Sequence, residues 1–203
     1  LWTTMATGRR PEEHGITSFK GAETDPGAKE PVTSTQRRVR ALWNIASDAG
    51  RRVAVVGWWA TWPAEPVNGV LVSDRTCYHF LFAEGQQGRS GEQETVFPRE
   101  LAPRIEAMIR RPGDIGPDEA AGYISVPAEE LARPFDFADD VSHFRWALAT
   151  ADSYSRIGRE LWRTDNPDLL MLYIEGTDSI SHLFGHLFRA EGLRGELAEQ
   201  HDR

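Results

Sequence analysis

The chain has 203 residues, 40% of them hydrophobic and 27% charged, with a formal net charge of −8. That length supports one ordinary domain with a sizeable core, and the acidic balance argues against nonspecific nucleic-acid binding, which needs a basic face. No apolar run approaches the ~20 residues of a membrane span, and the single cysteine, Cys77, excludes an internal disulfide or a cysteine metal cluster and reads as a small buried hydrophobe.

"LWTTMATG" at 1–8 is an apolar-small run stopped by a glycine, the body of a helix whose start is expected before Leu1. "GRR" (Gly8 to Arg10) suits a solvated helix end with favourable cations, and His14 in "PEEHG" suits a local hydrogen-bonding role. Residues 15–31 are polar, with Gly21, Pro26 and Gly27, and predict an exposed loop. "TSTQRRVRALWNIASDAG" offers Thr33, Ser34 or Thr35 as N-cap. Val39, Leu42, Trp43 and Ala46 follow at helical spacing, and Gly50 ends the helix. "RRVAVVG" comes directly after, a short apolar run of strand type. A helix feeding such a strand is the unit of an α/β protein with a buried parallel sheet.

"WWATWPAEPVNGVLVSDR" (58–75) leaves that strand at its C-terminal end, where open α/β sheets usually place ligand sites. Residues 76–140 are expected to form an insertion or lid, with "EGQQGRSGEQE" as a flexible stretch and a helix over 99–111 carrying Leu101, Ile105, Met108 and Ile109. Residues 140–163 predict a long amphipathic helix with Val141, Phe144, Leu148, Ala151, Ile157 and Leu161 on one side. Asn166 and Pro167 end it, "DLLMLYIEG" predicts a second buried strand, and a turn at Gly176 opens another helix.

The most informative stretch is "YIEGTDSISH". Asp178 and His182 lie four residues apart, one turn apart on one helix face, and a carboxylate oxygen with an imidazole nitrogen suits a divalent ion such as zinc. The same spacing also describes an N-cap followed by an exposed histidine. His186 shares the face through "HLFGH", but the zincin protease pattern requires Glu directly after the first His, and here that residue is Leu183. The protease reading fails there, and His186 is expected near the site or on the surface. Trp58, Trp59 and Trp62 offer an aromatic wall for a substrate, but large aromatics dominate cores, which favours packing for at least two of them.

Three blocks, "LWTTMATGRRPEEHGI", "RALWNIASDAGRRVAVVGWWATWPAEPVNGVLVSDR" and "PDLLMLYIEGTDSISHLF", together resemble the type I phosphodiesterase/nucleotide pyrophosphatase group of the alkaline phosphatase superfamily. The resemblance implies one partial alkaline-phosphatase-like catalytic domain over 1–203: a three-layer α/β sandwich, its sheet mostly parallel with helices on both faces, with 76–140 as the inserted lid. It implies a metal-dependent hydrolase of phosphodiester, pyrophosphate or phosphomonoester bonds, acting on a small-molecule phosphoester through a Ser or Thr nucleophile and two divalent metals, zinc by preference. Asp178 and His182 match the Asp-x-x-x-His pair of the water-activating metal. The nucleophile is expected just upstream of Leu1, and the remaining ligands outside the chain; His201 and Asp202, adjacent but in reverse order, do not match. By this reasoning the chain alone binds zinc weakly and hydrolyses nothing. The alternatives are a non-catalytic α/β interaction module, or another superfamily activity such as a sulfatase or phosphoethanolamine transferase.

Overall fold

A computed structural model describes residues 1–25, 28–78, 94–125, 127–131, 133–134, 136 and 139–185. Helix α1 (Trp2–Thr7) stops at Gly8, whose φ of 64° brings its N–H onto the Thr4 carbonyl. Helix α2 (Pro11–His14) opens on a proline, and the Glu13 carboxylate reaches back to the Arg10 N–H at 3.0 Å. The loop expected over 15–31 contains an antiparallel hairpin instead, β1 (Lys20–Asp25) against β2 (Ala28–Pro31). Neither strand carries an apolar alternation, so periodicity gives no sign of this ladder.

Helix α3 (Leu42–Asp48) starts later than the N-cap candidates suggest. Thr33 instead precedes a 3-10 turn, Ser34–Gln36, and its N–H donates to Gln36 Oε1 at 3.2 Å. The chain then extends, and Asn44 Oδ1 accepts the Ala41 N–H at 2.9 Å where the helix begins. Leu42, expected on the core face, is exposed; Trp43 and Asn44 are buried.

The central sheet comprises β3 (Val53–Val56), β4 (Gly69–Val72), β5 (Val96–Phe97) and β6 (Leu169–Leu172) in the order β5-β4-β3-β6. Strands β4 and β6 run parallel to β3, and β5 pairs antiparallel with β4. Strand β4 falls inside the 58–75 stretch that leaves β3, where the few residues after "VN" are too short a run to show a period. Gly69 begins it at φ 143°, and a Cβ there would lie 2.1 Å from the Val53 carbonyl oxygen. Strand β6 is half-buried rather than buried, since among the described residues only β3 pairs with it.

The stretch after β4 joins the core. Helix α4 (Arg75–Tyr78) buries Cys77, and β5 buries Val96. The helix expected over 99–111 is shorter, a 3-10 turn at Arg99–Leu101 followed by α5 (Ala102–Glu106), which buries Ile105. Helices α6 (Pro117–Ala120) and α7 (Ala128–Leu131) supply Ala120 and Leu131 to a satellite cluster with Ile115, Phe144 and Ala149. The flexible stretch expected at 84–94 lies almost wholly outside the described residues.

Helix α8 (Asp140–Thr164) is the long amphipathic helix the sequence predicts, capped by the Asp139 carboxylate on the Ser142 N–H at 2.7 Å. Its Tyr154, Ile157 and Leu161 pack on Ala54, Val56, Val70 and Val72. The opposite face of the sheet, Val53, Val55 and Leu71, packs on Ala6 of α1 and on Ala41 and Trp43. This strict alternation of strand residues between two helical layers makes the three-layer α/β sandwich. Helix α9 (Gly176–Phe184) completes the order. Among the described residues no helix is long and apolar enough to cross a membrane.

Candidate functional site

The three parallel strands deliver their following residues to one edge of the sheet: Gly57 and Trp58 after β3, Ser73 and Asp74 after β4, and Tyr173 to Glu175 after β6. Parallel sheets usually place ligands at that edge. The start of α1 lies there too. The Trp2 ring is 5.9 Å from Tyr173 and 6.0 Å from Trp59, and the Trp58 indole N–H donates to the Trp2 carbonyl at 3.3 Å.

Asp74 holds the tryptophan loop in shape. Its carboxylate accepts the N–H groups of Ala60 (3.0 Å), Thr61 (3.3 Å) and Trp62 (3.1 Å). The Thr61 hydroxyl donates to the Trp58 carbonyl at 2.5 Å and accepts the Asp74 N–H at 3.1 Å. Within this turn Ala60 takes φ 58°, a conformation that costs a non-glycine residue free energy and persists only under outside restraint. Burial pushes the Asp74 carboxyl above the usual carboxylate range, against the opposing pull of the Ala60 N–H and Arg75.

Tyr154 fastens α8 to the same place. Its hydroxyl donates to the Asp74 carbonyl at 2.7 Å and accepts the Cys77 N–H at 3.3 Å. Its ring lies against Gly57, where an added Cβ would come within 2.7 Å. Cys77 is the inert buried hydrophobe the sequence suggests; burial raises its thiol to about 12.

On α9, Asp178 Oδ1 and His182 Nε2 face each other at 3.6 Å, with side chains 45% and 81% exposed. Glu175, immediately before the helix, is pushed up to about 8, first by burial and then by the charges of Asp178 and Asp74. The three carboxyl groups therefore share one electrostatic neighbourhood. Among the described residues no group of three or more His, Cys, Asp and Glu side chains is arranged to hold a metal.

The three tryptophans separate. Trp58 is wedged between Trp43 (6.4 Å) and Tyr173 (6.3 Å). Trp59 meets Trp2 and Phe19 (5.3 Å) beside the strand ends. Trp62 lies under the Arg75 guanidinium at 4.0 Å. His14 is buried and local: Nδ1 accepts the Ile16 N–H at 3.1 Å, so Nε2 carries the proton toward Thr4 Oγ1, also at 3.1 Å. Burial lowers its pKa, which keeps the ring neutral. His186, His201 and Asp202 lie outside the described residues.

Sequence reasoning missed Asp74, Tyr154 and Glu175. For the two acids the signal was present, a carboxylate within three residues of the end of an apolar strand ("VLVSD", "LYIE"). Tyr154 had no signal beyond its place on a core-facing helix.

The fold and this edge define an α/β protein with an acidic, aromatic-lined centre at its strand ends. The family model for type I phosphodiesterase/nucleotide pyrophosphatase matches residues 1–200, and the chain belongs to that family, a family of phosphoester hydrolases. No curated protein and no solved structure matches the chain.

Proposed function

We propose that the chain carries part of the phosphoryl-transfer centre of a two-metal phosphoester hydrolase, with Asp178 and His182 holding one of the ions. The observation that carries this reading is the Asp178–His182 pair at the C-terminal edge of the sheet. Their 3.6 Å separation is close to the ~3.4 Å between neighbouring ligands of a zinc tetrahedron with bonds of ~2.0–2.1 Å. The pair lies on an exposed helix face, so a hydrated ion reaches it without disturbing the core. The bound metals would supply Lewis-acid stabilisation of the phosphoryl oxygens and an activated hydroxyl or water.

The chain's own residues do the rest. In the metal-free chain burial and the Asp178 charge push the Glu175 carboxyl up to about 8, so before an ion binds that edge carries one negative charge fewer than its three carboxyl groups suggest. That lowers the repulsion met by an anionic phosphoester. Asp74 fixes the turn from which Trp58 and Trp59 project, and Trp59 with Trp2 and Phe19 offers an apolar wall for the organic part of the substrate. Trp58 bridges α1 to β6 through Trp2 and Tyr173, which brings the start of α1, the place the family resemblance gives to the nucleophile, to the Asp178 side of the sheet.

Zinc titration of the metal-free chain by calorimetry tests the assignment. Two protein donors give weak binding, and it should vanish in both Asp178→Asn and His182→Ala. Zinc affinity unchanged in both variants would remove the metal assignment and leave the non-catalytic α/β module.

A further inference from the structure

The arginines of "STQRRVRALW" play no part in the site above, yet they line an open cleft of their own. The cleft, of about 450 Å³, lies between the 34–40 segment and α3, and Thr35, Arg37, Arg38, Arg40, Asn44 and Glu65 line it. Three guanidinium groups against one carboxylate make this a cationic spot on a chain whose net charge is −8.

We propose that this cleft binds a phosphate group, at a site separate from Asp178 and His182. Arg37 is its fixed element. The side chain is only 5% exposed, with Nε donating to the Val39 carbonyl at 3.1 Å and Nη2 to Asn44 Oδ1 at 3.0 Å and Glu65 Oε1 at 2.6 Å. Its guanidinium also lies 5.2 Å from the centre of the Trp43 ring. Nη1 donates to none of the described residues, so a rigidly held donor remains for a ligand.

Arg38 is the uncompensated charge. Among the described residues no carboxylate pairs with it. Its stem lies against Gly15, where an added Cβ would sit 2.9 Å from Arg38 Cδ and Nε. Gly15 is at φ 82°, and the Arg38 N–H donates to the His14 carbonyl at 3.0 Å. The "HG" of the first motif thus seats the arginine of the second. Arg40 is already paired with Asp48, and the Glu65 charge is taken by Arg37 and the Trp43 N–H (2.6 Å). The free charge among the residues lining the cleft is therefore positive and belongs to Arg38, and the spare donor belongs to Arg37. Guanidinium donors lining one cleft are the groups that recognise phosphate oxygens. The volume exceeds what inorganic phosphate fills, so an organic phosphate is accommodated as well.

The test uses the full chain in EDTA, titrated by NMR with inorganic phosphate and, in a second arm, with phenyl phosphate. Binding should weaken about tenfold in Arg38→Gln, fall with added salt, and stay at the native level in Arg9→Gln, an exposed control. It should also survive in the Asp178→Asn/His182→Ala double variant, which separates this cleft from the proposed metal centre. Equal affinity for both ligands marks the phosphate group alone as the ligand; tighter phenyl phosphate marks an ester. Absence of binding, equal loss in Arg9→Gln, or loss in the double variant overturns the proposal.

Discussion

Replacing Asp74 with alanine would remove the acceptor of three backbone N–H groups in the tryptophan turn. Ala60 and Thr61 are 2% and 0% exposed, so water cannot take over for two of them; half-buried Trp62 can turn its N–H outward. A buried N–H left without an acceptor costs about 1–3 kcal/mol. Two of them, less the desolvation recovered when a buried carboxylate is deleted, give a loss of about 3 kcal/mol. Asp74→Asn keeps one oxygen acceptor and removes the charge, so its loss should be about 1 kcal/mol. For a chain of this size a loss of about 3 kcal/mol lowers Tm by roughly 6–12 °C. Urea unfolding followed by far-ultraviolet circular dichroism measures both variants against the native chain. An alanine variant within about 1 kcal/mol of native, or an asparagine variant less stable than the alanine one, would refute the view that Asp74 holds this turn.

Two further outcomes follow from the same edge. Because Glu175 titrates near 4.5 unfolded and about 8 folded, the native state binds its proton more tightly, so its contribution is full below pH 4.5 and lost as pH rises to about 8. Glu175→Gln should therefore match the native chain near pH 4.5 and exceed it above pH 8 by up to about 4 kcal/mol; parallel stability curves in metal-free buffer would contradict this. Gly57→Ala meets both a φ of 68° and the Tyr154 ring and should cost about 2–4 kcal/mol. Gly8→Ala, strained at φ 64° but with open space around it, should cost only about 1 kcal/mol in the same urea titration.

What could be read from the residues followed from how long each signal ran. The 25-residue α8 carries about seven turns of periodicity, and its boundaries were legible to within a residue or two. Strand β3 stood out because all four of its residues are apolar and a helix precedes it. The β1–β2 hairpin did not, since its sequence carries no apolar alternation. The late start of α3 turned on Asn44 acting as the acceptor three residues beyond Ala41, a competition that Thr33, Ser34 and Thr35 looked better placed to win. At the site, the four-residue spacing of Asp178 and His182 is by itself enough to put them on one helix face. The place of Asp74 at a strand end was legible, but what it holds was not, because its partners are backbone groups 12 to 14 residues earlier, and no side-chain pattern records such bonds.

The central position of β3 also bears on how the chain comes to be folded. Its partner β4 follows within 16 residues (Val53 to Gly69), a short loop to close, whereas Val53 meets Leu169 on its other side only 116 residues later. At ~5–20 residues per second of synthesis, the second edge of a wholly apolar strand waits about 6–23 s for its neighbour. During that interval a row of open backbone donors and acceptors beside Val-Ala-Val-Val is available to any other nascent strand. The step at which this protein is most vulnerable to misassembly is thus the late arrival of β6, the strand that also brings Asp178 and His182 into place.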